Sequence, residues 1–250
     1  MDNVLKNAKE LMQSEEIHFV NVKNNYRYER KFTVPDVYSI KEIEHLIKSN
    51  SFLFREVFHL RQVNNIYFDT VGYNDYLDNV LGVSDRKKIR IRWYGDTFGQ
   101  ILKPVLEMKI KKGLVGDKWS YKLKPFTLDN TTTQKSLLEV FKVSDLPKPI
   151  LESVKMVHPT LLNSYKRRYF LSANNDFRVT LDFDLLYHKI ESSRNNFNRK
   201  PIKDENKIVE LKYNLENDKF AHAITTQFPF RLNKNSKYVN GVNTIKQFPQ

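Results

Sequence analysis

The sequence predicts an α+β fold in which a large β-sheet dominates and a few helices pack outside it. Three observations support this: long segments alternate in polarity at every second residue, the polar positions are mostly Lys and Arg, and few segments have helical spacing. Successive side chains of a strand point to opposite faces. Each alternating segment would therefore have one apolar and one basic face.

Seven segments have this period of two and are predicted as strands. In chain order they are YRYERKFTV (26–34), KKIRIRWYG (87–95), VLEMKIKKG (105–113), KWSYKLK (118–124), SYKRRYFL (164–171), FRVTLDFDLL (177–186) and IVELKYNL (208–215). In the third, Glu107, Lys109 and Lys111 share one face. In the sixth, Asp182 and Asp184 are predicted to share a face.

Four segments are predicted as helices from their apolar spacing: DVYSIKEIEHLIKSN (36–50), TQKSLLEVFKV (133–143), PILESVKMV (149–157) and ENDKFAHAITTQF (216–228). Two polar segments, 128–135 and 192–206, are predicted as loops. The domain boundaries we predict are a helical N-terminal extension over residues 1–25 and a single domain over residues 26–250.

The composition indicates a folded protein with an anionic partner. The chain has 250 residues, 40% hydrophobic content and 42 Lys+Arg against 29 Asp+Glu, a formal net charge of +13. Such an excess suits nucleic acid, an acidic membrane or phosphorylated small molecules. The sequence contains no Cys, which excludes disulfides and thiolate metal sites.

The N-terminal segment, MDNVLKNAKELMQSEEIHF, lacks the apolar run of a signal peptide. No stretch approaches the roughly 18 apolar residues of a membrane-spanning helix. We therefore expect a cytoplasmic protein, in which membrane association would have to come from another chain.

The basic faces have two interpretations. The first is an open sheet or sandwich whose polar faces are simply solvated, which is the usual reason for alternation. The second is a bound anion, because like charges on neighbouring strands repel and a basic face needs neutralisation. Closing the sheet into a barrel with this face inside would create a site for a polyanion. The pattern Glu-x-Lys recurs at Glu29, Glu107 and Glu210, which favours the second interpretation.

The ordered motifs resemble a known family, the polyphosphate polymerase (VTC) domains of the triphosphate tunnel metalloenzyme, or CYTH-like, superfamily. The matching stretches, in family order, are YERKF, NIYFDT, RKKIRIRWYG, LEMKIKKG, SYKRRYF, RVTLDFDL, VELKY and NKNSKYVNG. The resemblance implies an antiparallel β-barrel of about eight strands that forms a tunnel. It implies that ATP and polyphosphate bind to the tunnel walls. It also implies a divalent cofactor, Mn²⁺ or Mg²⁺, held by a carboxylate.

The resemblance also implies roles for individual residues. Catalytic roles fall on Lys31, Arg90, Arg92, Lys109, Arg167 and Lys237. Contacts to substrate phosphates fall on Lys88, Lys118, Lys122, Arg178, Lys212, Lys234 and Ser236. Glu210 is implied as the principal metal ligand, with Glu29 and Glu107 as further carboxylates of the metal site. Asp182 is implied as a tunnel residue.

One position departs from the wider superfamily. Its triphosphatases and cyclases resemble one another in an N-terminal Glu-x-Glu-x-Lys, whereas this chain has Arg27, Glu29 and Lys31 in that frame. A cation replaces the first metal-binding carboxylate. This difference favours a polymerase-like enzyme over a two-metal hydrolase.

Three functions follow from these observations. The first is a divalent-metal-dependent polyphosphate polymerase that transfers the terminal phosphate of ATP to a growing chain. The second is an inorganic or nucleoside triphosphatase of the same fold. The third is a non-catalytic module that binds polyphosphate or another polyanion. We do not expect nucleic-acid binding, since the basic faces suggest an enclosed surface rather than an exposed basic stripe.

Overall fold

The computed structural model of the chain describes residues 27–112 and 115–246. The predicted helical extension over residues 1–25 lies outside the described residues. Within them, no helix is long and apolar enough to cross a membrane.

β-Strands are the commonest regular structure in the described chain. These are β1 (Arg27–Val34), β2 (Arg55–Asp69), β3 (Arg86–Tyr94), β4 (Gly99–Ile101), β5 (Val105–Lys112), β6 (Val115–Lys122), β7 (Phe126–Leu128), β8 (His158–Leu171), β9 (Arg178–His188), β10 (Ile202–Asp204), β11 (Lys207–Asn214) and β12 (Arg231–Leu232). The antiparallel main sheet has the order β12-β1-β11-β9-β8-β2-β3-β5-β6, with β10 paired to β9. The short strands β4 and β7 form a separate pair.

The main sheet curls so that distant strands face one another. Lys109 Nζ on β5 lies 3.7 Å from Glu29 Oε2 on β1, although β11, β9, β8, β2 and β3 separate these strands in the sheet. Eight strands, each of at least eight residues, form the curl, in agreement with the implied number of about eight. Seven of them match the predicted segments, and β2 was not predicted. Within the described residues no backbone ladder joins β12 to β6, so the curl stays open along one seam.

The helices are α1 (Ile40–Lys48), α2 (Asn74–Val80), α3 (Gln134–Val143), α4 (Lys148–Lys155), α5 (Asp218–Thr225) and α6 (Lys237–Lys246). Helix α1 begins at a capping box formed by Ser39 and Glu42. Helices α1, α3, α4 and α5 confirm the four helical segments predicted from the sequence.

Two apolar cores lie between the outer face of the sheet and these helices. One joins Ile43 and Ile47 of α1 and Ile224 of α5 to Phe32 and Leu211 of the sheet. The other joins α3 and α4 to β3 and β5 through side chains that include Leu137, Phe141, Ile91 and Leu106. The apolar faces therefore point outward and are covered by helices, and the charged faces line the concave side.

Helix α6, which the sequence did not predict, packs on the concave side near one end of the curl. Its Tyr238 stacks on Tyr67 of β2 with ring centroids 5.1 Å apart. A Cβ added at Gly241 would lie 2.5 Å from Leu161 Cδ2 and 2.7 Å from Tyr187 Cδ1. Only glycine allows the helix to approach β8 and β9 this closely.

A β-bulge changes the predicted faces of β9. Asp184 has a left-handed backbone (φ 52°), and the pairing with β8 shifts between Ser164 and Lys166. Beyond the bulge Leu185 packs with Val63 and Tyr165 of the concave side. Asp184 is exposed instead and pairs with Lys166 at 3.0 Å, so the prediction that Asp184 shares the face of Asp182 is wrong.

We expect Gly241→Ala to destabilise the fold. Overpacking against Leu161 and Tyr187 costs about 1–3 kcal/mol and outweighs the gain in helix propensity of about 1 kcal/mol. Urea unfolding followed by circular dichroism measures the change in the free energy of unfolding. Thr244→Ala, at an exposed position of the same helix, is the control and should have little effect. Equal stability of Gly241→Ala and wild type would contradict the close packing of α6.

Candidate functional site

The concave side of the curled sheet, called here the inner face, brings most of the implied site residues together. Inner-face side chains are those of Glu29, Lys31, Arg61, Asn65, Tyr67, Lys88, Arg90, Arg92, Tyr94, Glu107, Lys109, Lys118, Tyr165, Arg167, Tyr169, Thr180, Asp182, Glu210 and Lys212. Their positions follow from strand alternation and from the register of neighbouring strands.

Three lysines form a row across adjacent strands of the inner face. Lys88 of β3 is directly opposite Lys109 of β5, and Lys109 is directly opposite Lys118 of β6. Like charges in directly opposed positions destabilise a sheet. The side chains of Lys109 and Lys118 are 59% and 51% exposed, so their ammonium groups remain accessible. This row therefore concentrates accessible positive charge on the inner face.

Lys88 has the least neutralisation of the three. Its Nζ donates a hydrogen bond to Ser236 Oγ (3.0 Å), and no carboxylate of the described residues lies within 4.0 Å of it. Burial, together with Lys31, Lys109 and neighbouring arginines, lowers the pKa of Lys88 to about 7. An anion beside Lys88 would favour its protonated form.

Glu107 holds three of the cations in place. Its Oε2 lies 2.5 Å from Arg90 Nη2 and 3.5 Å from Arg92 Nη1, and its Oε1 lies 2.6 Å from Lys118 Nζ. Burial alone would raise the pKa of Glu107, but Arg90, Arg92 and Lys118 lower it to about 2. All these contacts are to cations, so Glu107 holds them in place, and its implied role in the metal site stays a prediction.

Glu29 and Glu210 form a pair of carboxylates on adjacent strands. Lys31 Nζ lies 2.6 Å from Glu29 Oε1 and 3.5 Å from Glu210 Oε1. Lys212 Nζ lies 4.0 Å from Glu29 Oε2 and 3.1 Å from Glu210 Oε2. Burial works against the charged form of Glu210, but Lys212, Lys31 and Arg167 hold its pKa well below the usual value. Glu210 is therefore ionised in the folded protein.

This carboxylate pair fits a divalent cation. The described residues contain no group of three or more His, Asp or Glu arranged to hold a metal ion. Mg²⁺ commonly uses one or two carboxylates and completes its octahedron with water and substrate phosphates. Glu210 and Glu29 supply hard oxygen donors of this kind, so an ion here would depend on phosphate oxygens for its remaining ligands.

Arg167 and Lys237 share a fully buried carboxylate. Arg167 Nε and Nη2 donate to the two oxygens of Asp182 at 2.5 and 2.6 Å, and Lys237 Nζ lies 2.5 Å from Asp182 Oδ2. Arg167 Nη2 also lies 3.6 Å from Glu210 Oε2. Burial opposes ionisation of Asp182, but Arg167 and Lys237 lower its pKa. Asp182 therefore connects the sheet wall to the start of α6.

Ser236 and Lys237 reach the inner face because a buried carboxylate, Asp69, holds the first turn of α6 in place. Buried Asp69 accepts hydrogen bonds from Tyr238 Oη (2.5 Å) and from the backbone N–H groups of Asp75 and Tyr76 (both 2.9 Å). This carboxylate ties the end of β2 and helix α2 to the first turn of α6. Tyr238 follows Lys237 directly, so the anchor sets the position of both predicted site residues.

Three implied phosphate ligands lie away from the ion pairs of the inner face. Lys122, Arg178 and Lys234 are all exposed. Lys122 is opposite Val105 at the end of β6, Arg178 is opposite Lys212 at the start of β9, and Lys234 lies in the segment before α6. Their roles stay predictions for the ends of the tunnel.

Sequence reasoning missed several inner-face residues that contact the predicted ones. Asn65 Oδ1 accepts a hydrogen bond from Arg92 Nε (3.0 Å), and Tyr67 Oη accepts one from Arg90 Nη1 (3.2 Å). Both alternate with the buried residues Ile66 and Phe68. Extending this period of two backward along β2 would also have placed Arg61 on the inner face.

The low pKa of Lys88 gives a testable dependence of stability on pH. Between about 7 in the folded state and 10.5 in the unfolded state, the unfolded chain binds the extra proton, so the free energy of unfolding rises with pH. We expect Lys88→Met to be more stable than wild type near pH 7 and to lose this part of the rise. Denaturant titrations at several pH values measure it, with exposed Lys124→Met as control. An unchanged slope in Lys88→Met would contradict the assignment.

Comparison with known proteins identifies the family. The sequence matches the family model of the VTC domain over residues 26–246. Comparison with curated proteins finds no match.

The chain is similar to solved structures from several organisms, three of which follow. A candidate adenylate cyclase from Vibrio parahaemolyticus has 12% identity and a TM-score of 0.49, with 87% of this chain and 99% of that chain covered. A candidate adenylyl cyclase from Hippeastrum, described as having a dominant triphosphatase activity, has 14% identity and a TM-score of 0.49, with 88% and 96% covered. A protein from Pyrococcus horikoshii OT3 has 11% identity and a TM-score of 0.48, with 89% and 100% covered. The VTC match spans nearly the whole described chain, and on that ground this chain belongs to the VTC domain family.

Proposed function

We propose that the protein is a polyphosphate polymerase that transfers the terminal phosphate of ATP to a growing polyphosphate chain with the help of a divalent metal ion. The observation that carries the proposal is the charge balance of the inner face. Glu29, Glu107, Asp182 and Glu210 share ion pairs with Lys31, Arg90, Arg92, Lys109, Lys118, Arg167, Lys212 and Lys237. Four carboxylates thus serve eight cations.

This imbalance fits a linear polyanion better than a single small anion. The cations extend from the lysine row on β3, β5 and β6 to Arg167 on β8 and Lys212 on β11. Arg guanidinium groups bind phosphate oxygens in a bidentate fashion, whereas Lys supplies a compact charge. Membership in the VTC family supports an activity on triphosphate or polyphosphate.

The proposed reaction is an exchange between phosphoanhydride bonds. A terminal oxygen of the bound chain attacks the γ-phosphorus of ATP, forming a new P–O–P bond as the bond to the β–γ bridging oxygen breaks and ADP leaves. Phosphoryl transfer requires mainly positioning and charge neutralisation. Arg90, Arg92 and Lys109 would neutralise the donor phosphates, and Arg167 with Lys237 would align the acceptor.

Glu210 and Glu29 would hold a divalent ion, which would supply positive charge to neutralise the reacting phosphates. The remaining steps depend on the protein. Glu107 keeps the guanidinium groups of Arg90 and Arg92 fixed, and Asp182 orients Arg167 and Lys237. Arg27 stands where the superfamily's triphosphatases have a metal-binding Glu. The site therefore carries one negative charge fewer than that of a triphosphatase. This favours binding of an anionic phosphate acceptor over activation of a water molecule for hydrolysis.

We expect Lys109→Ala to lose polyphosphate synthesis by at least about tenfold, because one charge-assisted contact contributes about 1.5–3 kcal/mol. Incubation of the protein with ATP and Mn²⁺ or Mg²⁺, followed by a polyphosphate-stained gel and an orthophosphate assay, measures both outcomes. Lys103→Ala, which removes an exposed ammonium from the loop before β5, should retain activity. Orthophosphate release without chains in the wild type would establish the hydrolase instead.

Glu210→Gln separates metal-dependent chemistry from anion binding. We expect this variant to lose metal-dependent synthesis yet to bind polyphosphate without metal at least as tightly as wild type, because a negative charge has left the inner face. Isothermal titration with and without Mn²⁺ measures binding. Glu44→Gln, which breaks the outer ion pair with Arg168 at 2.7 Å, controls for loss of a salt bridge. Full synthesis by a folded Glu210→Gln protein would overturn the metal assignment.

A further inference from the structure

Like Lys88, the inner-face cation Arg61 takes no part in the ion pairs described above. Arg61 of β2 lies in the same alternating series as Asn65 and Tyr67 and is directly opposite Arg167 of β8. Six residues separate it from Tyr67, the contact of α6, which corresponds to about 20 Å along the strand. Arg61 therefore lies far along the inner face from Lys88 and Ser236, whereas its opposed neighbour Arg167 shares Asp182 with Lys237.

Aromatic rings hold the Arg61 guanidinium in place. Its Cζ lies 4.4 Å from the ring centroid of Phe58, 5.5 Å from that of Tyr94 and 5.4 Å from that of Tyr169. The Tyr169 and Tyr94 side chains also share a hydrogen bond. Stacking on ring faces fixes the guanidinium plane and leaves its N–H groups available at the edge.

No carboxylate neutralises this arginine in the described part of the chain, where Arg61 forms no salt bridge within 4.0 Å. Its directly opposed neighbour is another arginine. Two like charges at opposed positions are unfavourable unless an anion lies between or beside them. The Arg61–Arg167 pair thus resembles the lysine row, except that Asp182 neutralises Arg167 and leaves Arg61 without a counter-charge.

A cavity adjoins Arg61. It has a volume of about 330 Å³ and is lined by His59, Leu60, Arg61, Gln62, Tyr94 and Gly95. The ring of Tyr169 also connects the cavity to the main site, because Arg61 and Arg167 both lie over it, the second with Cζ 5.9 Å from the centroid. A chain held by Arg167 would reach Arg61 next.

We propose that Arg61 and this cavity form a distal subsite that binds a phosphate group of a long polyphosphate chain, beyond the phosphates held by Arg167. This inference rests on the proposed function and adds a specificity for chain length. The guanidinium fork matches two oxygens of a phosphate. A triphosphate bound near Lys88 and Lys109 would end before the subsite, whereas a long chain would occupy it.

Arg61→Gln tests the subsite. We expect its affinity for long-chain polyphosphate to fall about tenfold, the equivalent of one charged hydrogen-bonding contact, and its affinity for tripolyphosphate to stay unchanged. Isothermal titration at low salt, without ATP or metal, measures both. Arg61→Lys keeps the charge but loses the fork and should give an intermediate value. Arg199→Gln, which removes an exposed arginine from the loop between β9 and β10, is the charge-matched control.

The outcomes separate the alternatives. Equal weakening for both ligands, or none for either, would overturn the subsite while leaving the proposed function intact. In a parallel titration with ATP as the ligand, a loss of affinity in Arg61→Gln for ATP but not for tripolyphosphate would assign the cavity to the nucleoside and also overturn the subsite. Reduced thermal stability of Arg61→Gln with unchanged discrimination between the ligands would make Arg61 a structural residue. Failure of the wild type to bind either polyphosphate would overturn the proposed function itself.

Discussion

The structure depends on the confinement of like charges on the concave side of one sheet. Lys88, Lys109 and Lys118 are directly opposed on neighbouring strands, which is unfavourable without counter-charge. Glu107, Glu29, Glu210 and Asp182 supply only part of that counter-charge. Each of these carboxylates forms ion pairs with two or more cations. The ion pairs hold the side chains of the inner face in place but leave it with a net positive charge. A bound chain of phosphates would complete the neutralisation that the protein leaves unfinished.

Because charged side chains fill the concave side of the sheet, the apolar contacts that stabilise the fold lie mainly on its convex side. The charged concave side cannot supply a hydrophobic core of its own, apart from the small cluster that includes Val63 and Leu185 and the region under α6. The main cores instead lie between the convex face and the helices, as in the packing of Ile43 and Phe32 or of Phe141 and Ile91. The curvature that brings Glu29 to Lys109 is therefore maintained by apolar contacts on the opposite face. The charged residues of the site and the apolar residues that stabilise its curvature thus lie on opposite faces of the same sheet.

How far the sequence predicted this arrangement depended on how regular each element is. The period of two placed Arg90 and Glu107 on one face before any coordinates, since nothing interrupts β3 or β5. It failed at Asp184, where a bulge reverses the faces, and Arg61 was missed because the sequence analysis did not predict β2 as a strand. Helix α6 was missed because its sequence contains Asn240 and Gly241, which are poor helix formers. Its position comes from Asp69 and Tyr238, 169 residues apart, a contact that local pattern does not reveal.

The charge imbalance also bears on which phosphate chemistry the site can sustain. A hydrolase must release anionic products after every turnover, and an excess of fixed cations slows that release. A polymerase keeps its anionic product bound and needs only ADP to leave, so the same excess favours successive additions. Lys88 fits this difference, because its pKa near 7 lets the wall lose one charge when no phosphate lies beside it and regain it when one does. The repulsion on the inner face is thereby reduced without weakening the attraction for a bound phosphate.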